Sequence, residues 1–206
     1  MKRIEIHPVN PQPRLIRQVA EQFQTGALVA LPTDASYVLA CHLEDRTAVD
    51  RMRQLRGIDE KHLLTLLCQD LSELSQYAQV DNRQFRFLKE WTPGAYTFIL
   101  PATREVPRRL MHPSRKTVGL RVPEAPIVQA LLAELGVPLL CASLILPGDE
   151  DPLSDPDDIE DRIGKRIDLL VDGGAGQLEA TSVIDVTGDE PVIQRVGLGP
   201  VEAMLR

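Results

Sequence analysis

Residues 26–41, GALVALPTDASYVLAC, contain the pattern on which the fold prediction rests. The apolar run from Leu28 to Leu31 is short and continuous, which is typical of a buried strand. Thr33 and Asp34 follow it, and a second apolar stretch from Ser36 to Cys41 predicts the next strand. The pattern therefore places polar groups at the end of a buried strand, where open α/β sheets collect their ligands.

Strands and helices are predicted to alternate along the rest of the chain. Short apolar runs predict strands, and apolar residues at helical spacing after a capping residue predict helices. The further strands are expected at residues 63–68, 96–100, 117–122, 137–146, 167–171, 183–186 and 192–194, and the helices are expected to begin at Pro11 or Pro13, Asp45, Asp70, Asp81, Pro123 and Asp155. This mixture has no internal repeat and therefore predicts one α/β domain, residues 1–206, with a mixed sheet.

The size and composition of the chain fit a single folded domain. Its 206 residues are 43% hydrophobic, which supports a buried core and excludes a disordered protein. The three cysteines stand singly without C-x-x-C spacing, which fits a reducing compartment better than a disulfide framework. Neither a signal peptide nor a membrane span is evident, so we expect a soluble, cytoplasmic protein.

The charged residues are segregated along the chain. The formal net charge is −7, but residues 149–161 hold eight acidic residues and no basic one. Residues 103–121 hold six basic residues and one acidic residue. The overall acidity therefore does not exclude a basic surface that binds phosphate groups.

Familiar nucleotide and metal motifs are absent from the sequence. It contains neither G-x-G-x-x-G nor G-x-x-x-x-G-K-[ST], so a nucleotide would need another kind of site. It also lacks H-E-x-x-H, and its four histidines do not have the spacing of metal ligands. We therefore expect no metal held by protein ligands alone.

Hydroxyl and guanidinium groups are the candidates for a binding site. Taken singly, the hydroxyls of Thr33 and Ser143 fit turns or caps as well as ligand contacts. Arg121 lies in an apolar strand, where a guanidinium has to pair with an acid or hold an anion. Arg195 offers the same two alternatives, whereas Arg56 at a helix end also fits a C-terminal cap.

The chain resembles the YrdC-like domain family, and within it the YciO branch. The segments that carry the family resemblance extend from about residue 12 to 197, and they are Leu31–Asp34 with Tyr37, Thr92–Gly94 with Tyr96 and Thr97, Gly119–Pro123, Ala142–Ser143, Thr181–Asp185 and Arg195. The branch is indicated by Glu105–Leu110 and Leu146–Gly148.

This resemblance implies a twisted α/β domain with a concave, positively charged groove. Members of the family join ATP, bicarbonate and threonine into threonylcarbamoyl-AMP with release of pyrophosphate, helped by Mg²⁺ that mainly the nucleotide carries. The resemblance implies that Arg56 and Thr33 are catalytic. The implied nucleotide and substrate contacts are Tyr37, Arg121, Ser143, Ser182 and Arg195.

Two family motifs are altered in this chain. Where the family has Lys-x-Arg, this sequence has Arg56, Gly57 and Ile58, and where the family has Ser-x-Asn, it has Ser143 to Ile145. Losing one donor that stabilises developing charge typically slows a reaction by roughly 10² to 10³. The sequence therefore predicts a YciO-type paralogue of L-threonylcarbamoyladenylate synthase that binds ATP or AMP, with weak or altered adenylate-forming chemistry. Any activity is expected to be a nucleotidyl transfer.

A second hypothesis is a non-catalytic protein that binds double-stranded or structured RNA. Its basic groove would contain Arg104, Arg108, Arg109, Arg115 and Lys116. Phosphate contacts supply most of the affinity of such proteins. Aromatic residues make up only 4% of the chain, which disfavours recognition of single strands by base stacking.

Overall fold

A mixed β-sheet with helices on both faces forms the fold, and the computed structural model describes all residues, 1–206. The strands are β1 Lys2–Glu5, β2 Val29–Leu31, β3 Val38–His42, β4 Thr65–Leu67, β5 Tyr96–Pro101, β6 Thr117–Arg121, β7 Leu139–Ser143, β8 Leu169–Asp172, β9 Ser182–Asp185 and β10 Val192–Arg195. The α-helices are α1 Pro13–Gln24, α2 Arg46–Arg56, α3 Leu71–Tyr77, α4 Asn82–Trp91, α5 Pro126–Leu135 and α6 Pro156–Ile163. None of the helices has the length and apolar character that a membrane span needs.

The ten strands form one continuous sheet in the order β1-β8-β2-β3-β7-β4-β6-β5-β9-β10. The pairs β1–β8, β2–β8, β4–β6 and β5–β9 are parallel, and the other five pairs are antiparallel. The prediction of an α/β domain with a mixed sheet is therefore confirmed.

The two faces of the sheet are covered differently. Side chains alternate between the faces along each strand, so Leu66, Phe98 and Leu120 share one face. Helices α2, α3, α4 and α6 bury their apolar sides on that face. Helices α1 and α5 pack together on the other face, above β2, β3 and β7.

The half of this second face beyond β7 forms an open groove. Its floor contains Thr65, Thr97 and Gly119, from three adjacent strands. A Cβ atom on Gly119 would lie 2.8 Å from Thr65 Oγ1 and 3.2 Å from the Leu64 carbonyl oxygen. Glycine at this position therefore keeps the floor of the groove free of side-chain atoms.

The helix starts show how well the capping pattern predicts the structure. The carboxylates of Asp45, Asp70, Asp81 and Asp155 each accept a backbone N–H at the start of α2, α3, α4 and α6, as expected. Helix α5 starts at Pro126 rather than at Pro123, because the preceding residues are extended. Asp34 Oδ2 accepts the Glu124 N–H at 2.9 Å and so holds that extended segment.

The acidic stretch 149–161 is partly paired with arginines. Asp149 forms an ion pair of 2.6 Å with Arg162 at the end of α6. Arg3 in β1 binds Asp157 and Glu160 of α6. These exposed pairs contribute little stability each, but they fix α6 against the edge strand.

Residues 173–181, which connect β8 to β9, form a segment that we call the strap. The fully buried Tyr37 donates its hydroxyl to the Gly174 carbonyl at 2.7 Å and accepts the Gly173 N–H at 3.2 Å. The Ser36 N–H donates to the Glu179 carbonyl at 3.0 Å. Tyr37 therefore fastens the strap to the β2–β3 connection.

We expect Tyr37→Phe to lower the free energy of unfolding by about 1–3 kcal/mol, because two hydrogen bonds of about 0.5–1.5 kcal/mol each between the buried side chain and the strap are lost. Chemical denaturation measures this difference. Tyr77→Phe is the control, since the partly exposed Tyr77 hydroxyl has no hydrogen-bond partner in the protein. Equal stability of the two variants would contradict this role of Tyr37.

The same hydroxyl makes stability sensitive to alkaline pH. Burial raises the pKa of Tyr37 to about 12. The unfolded chain loses this proton near its ordinary pKa of about 10, so the free energy of unfolding falls as the pH rises from there toward 12. Urea denaturation over this pH range should show a smaller fall in Tyr37→Phe. Some of the fall should persist, because burial also raises the pKa of Cys41 and Cys141 to about 12.

Candidate functional site

A cavity of about 220 Å³ opens in the uncovered groove. Arg56 enters it from the end of α2, and Arg195 enters it from β10. The other side chains around it are hydroxylic, aromatic or apolar, and they are His62, Leu63, Thr65, Thr97, Ile99, Ala142, Ser143, Ile145, Thr181 and Val183. No carboxylate lines the cavity, so its charged groups are all basic.

Arg56 is positioned by the end of its helix. Gly57 follows it in the left-handed region with φ 63°, which ends α2 and turns the chain away. The half-buried Arg56 donates Nη1 to the Ser143 carbonyl oxygen, while its buried Nε has no hydrogen-bond partner. Burial lowers the pKa of Arg56, and Arg195 lowers it further. No carboxylate pairs with this guanidinium, so its charge is uncompensated.

Arg195 is held in the same way, by a backbone carbonyl rather than by an acid. Its Nε and Nη2 donate to the Thr181 carbonyl at 3.0 and 2.8 Å. Burial lowers its pKa, and Arg121 adds to the effect. Two guanidiniums that face one cavity without a carboxylate are suited to bind an anion.

Arg121 forms the ion pair that was one of the two alternatives for it, while its buried Nε has no hydrogen-bond partner. Arg121 is 3% exposed, and its Nη2 donates to Asp34 Oδ1 and, at 2.9 Å, to Thr33 Oγ1. The Thr33 hydroxyl in turn donates to the Ser36 carbonyl at 2.7 Å. Arg121 therefore forms an ion pair, and the Thr33 hydroxyl donates its hydrogen bond to the backbone of its own turn.

The three other predicted contacts do not all lie in the cavity. Ser143 lines it. Ser182 lies on the opposite face of the sheet, where its hydroxyl donates to the Gly199 carbonyl at 2.6 Å and accepts the Gly197 N–H at 2.9 Å. Tyr37 is buried beneath the strap. Ser182 and Tyr37 therefore stabilise connections around the groove, and neither hydroxyl is free for a ligand.

Two polar side chains of the cavity, Thr65 and His62, were not predicted from the sequence. Thr65 is a single hydroxyl-bearing residue in an otherwise apolar strand, so the sequence does not indicate that it lines a site. The turn that follows α2 returns the chain to the cavity and places His62 in its lining. No sequence motif around His62 indicates this position. Burial and the charge of Arg56 lower the pKa of His62, so the ring is neutral at pH 7.

The predicted RNA-binding residues lie elsewhere. Arg104, Arg108 and Lys116 line a second cavity of about 590 Å³ in the β5–β6 connection. Arg115, which directly precedes Lys116, is exposed. The half-buried Arg109 instead donates to the Leu43 carbonyl at 2.9 Å. This connection meets β6 at the end opposite Arg121, about 13 Å along the strand. The basic residues therefore do not form part of the Arg56 cavity.

Comparison with known proteins confirms the resemblance. A sequence profile of the Sua5/YciO/YrdC family, described as "Telomere recombination", matches residues 21–197. A protein of Escherichia coli K12 named "Uncharacterized protein YciO" is 51% identical over 200 residues, 97% of each chain. The crystal structure of E. coli YciO matches with a TM-score of 0.96 at 50% identity, covering 99% of this chain and 100% of that chain.

More distant relatives have an assigned activity or a bound amino acid. The "Threonylcarbamoyl-AMP synthase" of Halorhodospira halophila is 30% identical over 178 residues, 86% of this chain and 92% of its own. The crystal structure of P. abyssi Sua5 complexed with L-threonine matches with a TM-score of 0.90 at 26% identity, covering 99% of this chain and 60% of that chain. The chain therefore belongs to the Sua5/YciO/YrdC family, which includes threonylcarbamoyl-AMP synthases.

Proposed function

We propose that this protein binds ATP or AMP in the Arg56 cavity and forms an adenylate from ATP, bicarbonate and threonine, weakly or with altered specificity. The observation that carries this proposal is the pair Arg56 and Arg195 facing one cavity that no carboxylate lines. Relatives support the substrate class, since one is named a threonylcarbamoyl-AMP synthase and another was crystallised with L-threonine.

The reaction requires two bonds to form. The threonine amine joins the carbon of bicarbonate with loss of water, and the resulting carbamate oxygen attacks the α-phosphate of ATP, which releases pyrophosphate. Negative charge grows on the phosphoryl oxygens during this displacement. The Arg56 guanidinium lines the cavity and is placed to donate to such an oxygen, and Arg195 supplies a second positive charge.

The donor set also bears on Mg²⁺. Mg²⁺ prefers oxygen ligands that include carboxylates, and the cavity offers hydroxyls and guanidiniums instead. The residues therefore fit Mg²⁺ only as an ion carried by the nucleotide phosphates, whose charge it partly neutralises. The protein's own contribution is then to orient the phosphates through Arg56 and Arg195.

The two altered motif positions argue for reduced turnover. Ile145 lines the cavity, whereas Ile58 packs against the hydrophobic core. Neither side chain can donate a hydrogen bond where the family has a guanidinium or an amide. Binding is consequently better supported than fast chemistry.

We expect Arg56→Ala to lower ATP-dependent adenylate formation by about 10²- to 10³-fold, because one donor to the α-phosphate is lost. The assay incubates the protein with ATP, Mg²⁺, bicarbonate and threonine, and it follows AMP, pyrophosphate and threonylcarbamoyl-AMP by chromatography with mass detection. Arg46→Ala is the matched control, since the exposed Arg46 lies ten residues earlier on the same helix, about 15 Å away. Similar rates in both variants would rule out the assigned role of Arg56.

We expect Ile145→Asn to increase the rate of adenylate formation, because an amide donor replaces an apolar group in the cavity wall. The same assay measures the gain. Val9→Asn makes a comparable change at a residue that is 67% exposed and outside the cavity. A rate that rises only in Val9→Asn, or in neither variant, would show that Ile145 does not limit the reaction.

RNA binding is a second candidate function, favoured by the exposure of Arg104, Arg108 and Lys116 around their own cavity. Phosphate contacts there would make the affinity for duplex RNA fall steeply with salt. A binding series between 50 and 200 mM salt, about the range over which such contacts are lost, tests this function. An RNA affinity that is unchanged by alanine at all three positions would remove it.

A further inference from the structure

We propose that the cavity in the β5–β6 connection binds a small ligand with two or three linked phosphate groups. We call it the connection cavity, and Arg104, Arg108 and Lys116 line it together with the apolar Val106 and Met111. None of its lining residues belongs to the Arg56 cavity. The inference therefore goes beyond the proposed function and names a second, separate ligand site.

The charged groups of the connection cavity are all basic. No carboxylate lines it, and its three cations form no ion pair within the protein. Glu105, the one acidic residue of the β5–β6 connection, lies outside the lining. Cations that share a concave space beside apolar walls concentrate their field there and attract anions.

The number of cations indicates the class of anion. A phosphate monoester carries a charge of about −1.5 to −2 at pH 7, which three cations exceed. Each further phosphate in a chain adds negative charge, so two or three linked groups match the site. The guanidiniums of Arg104 and Arg108 also have the planar pair of donors that suits phosphate oxygens.

The walls of the connection cavity are fixed by the fold. Gln79 Nε2 donates to the Ala102 carbonyl at 3.1 Å, and the Thr103 N–H donates to the Tyr77 carbonyl at 3.0 Å. Val106 is only 1% exposed, so it anchors the connection in the core. The volume of about 590 Å³ lies within the roughly 300–1,000 Å³ of small-molecule sites. A ligand therefore meets a preformed space, which lowers the cost of ordering on binding.

Lys116 has an unfavourable backbone conformation for its residue type. Its φ of 57° is the only positive value outside the glycines. Glycine adopts this conformation without cost, whereas a residue with a Cβ atom is strained there. The ammonium donates to the Pro113 carbonyl at 2.6 Å, which restrains the group and leaves its charge in place. A strained lysine is thus held where glycine would fit more easily, and what it adds is a cation at the cavity.

The shape of the site favours a small ligand over duplex RNA. A duplex is wider than the cavity and would touch only its rim, and its affinity comes from phosphate contacts spread along the backbone. The two other arginines of the connection do not extend the site into such a track. Arg115 is absent from the lining, and Arg109 donates to the Leu43 carbonyl.

Isothermal titration calorimetry with inorganic triphosphate tests the site. We expect Lys116→Gly to weaken triphosphate binding by about tenfold or more, because one charged donor is lost. Glycine suits the backbone here, so this variant should keep its melting temperature. Arg104→Ala should show a similar loss of affinity, which keeps the test valid if Lys116→Gly is unstable. Lys165→Gly, the control, removes the same charge from an exposed turn outside the cavity and should have a much smaller effect.

Two results of this titration would overturn the proposal. One is the absence of triphosphate binding by the unaltered protein, and the other is an equal loss of affinity in Lys116→Gly and Lys165→Gly. Inorganic phosphate is expected to bind about tenfold more weakly than triphosphate, because it engages fewer of the cations. Equal affinities for the two anions would overturn the assignment to linked phosphates.

Further variants separate this site from the other proposed ligand sites. Triphosphate binding that is abolished by Arg56→Ala but not by Lys116→Gly would belong to the Arg56 cavity and overturn this proposal. Duplex RNA binding that depends on Lys116, without triphosphate binding, would assign the cations to RNA and also overturn it. Adenylate formation is expected to be the same in Lys116→Gly as in the unaltered protein, so failure of the proposed function is recognised independently.

A comparison of triphosphate with ATP in Arg56→Ala distinguishes the two sources of a phosphate chain. Tighter binding of ATP would support a nucleotide whose base and ribose also contact the cavity. Equal affinities would support recognition of the phosphate chain alone. ATP that does not bind while triphosphate does would support an inorganic ligand.

Discussion

A guanidinium buried in a β-sheet has to be neutralised, and the Arg121–Asp34 ion pair does this at the centre of the fold. The side chains of Arg121 and Asp34 are only 4% and 12% exposed. Removing one partner of such a buried pair typically costs about 3–5 kcal/mol, since the other charge is left uncompensated. Asp34 also accepts the N–H of Glu124, so the same carboxylate fixes the segment that leads into α5. The pair thereby joins the β2–β3 connection, strand β6 and the covering helix α5.

This pairing decides which charges remain available in the groove. Arg121 is neutralised by an acid, whereas Arg56 and Arg195 are oriented by the carbonyl oxygens of Ser143 and Thr181. A carbonyl oxygen restrains a guanidinium through hydrogen bonds but leaves its full positive charge in place. The site is consequently ordered and still electropositive. No helix covers β4, β6 and β5 on this face of the sheet, so the two guanidiniums are accessible from the groove.

The sequence predicted the features that depend on neighbouring residues. Asp45, Asp70 and Asp81 cap helices because a short side chain can reach the backbone N–H three residues further along the chain, and this geometry is local. Strand β1 was not predicted, since only Ile4 of its residues is buried and its partner β8 lies more than 160 residues away. Pro123 began the predicted helix too early, because the competing bond to Asp34 comes from another part of the chain.

The same distinction explains which of the predicted site residues line the cavity. Arg56 and Arg195 were named from their motif positions, and the structure places both at one cavity. Ser182 also belongs to a motif, but the alternation of β9 turns it away from the groove, and only the sheet register reveals which face it takes. His62 reaches the cavity through a turn that the sequence does not specify. Tertiary register therefore limits prediction of the site more than residue chemistry does.

The two isoleucines in the altered motifs have different physical effects. Ile58 packs against the hydrophobic core, so its apolar side chain contributes to stability. Ile145 lies in the cavity wall, where it removes a donor from the site itself. The first change removes a positive charge that the family motif has, and the second removes a hydrogen-bond donor. Arg56 and Arg195 remain at the cavity. Compared with the family motifs, this chain therefore has fewer groups that could stabilise a developing negative charge, which is the physical reason for expecting slow chemistry under the proposed function.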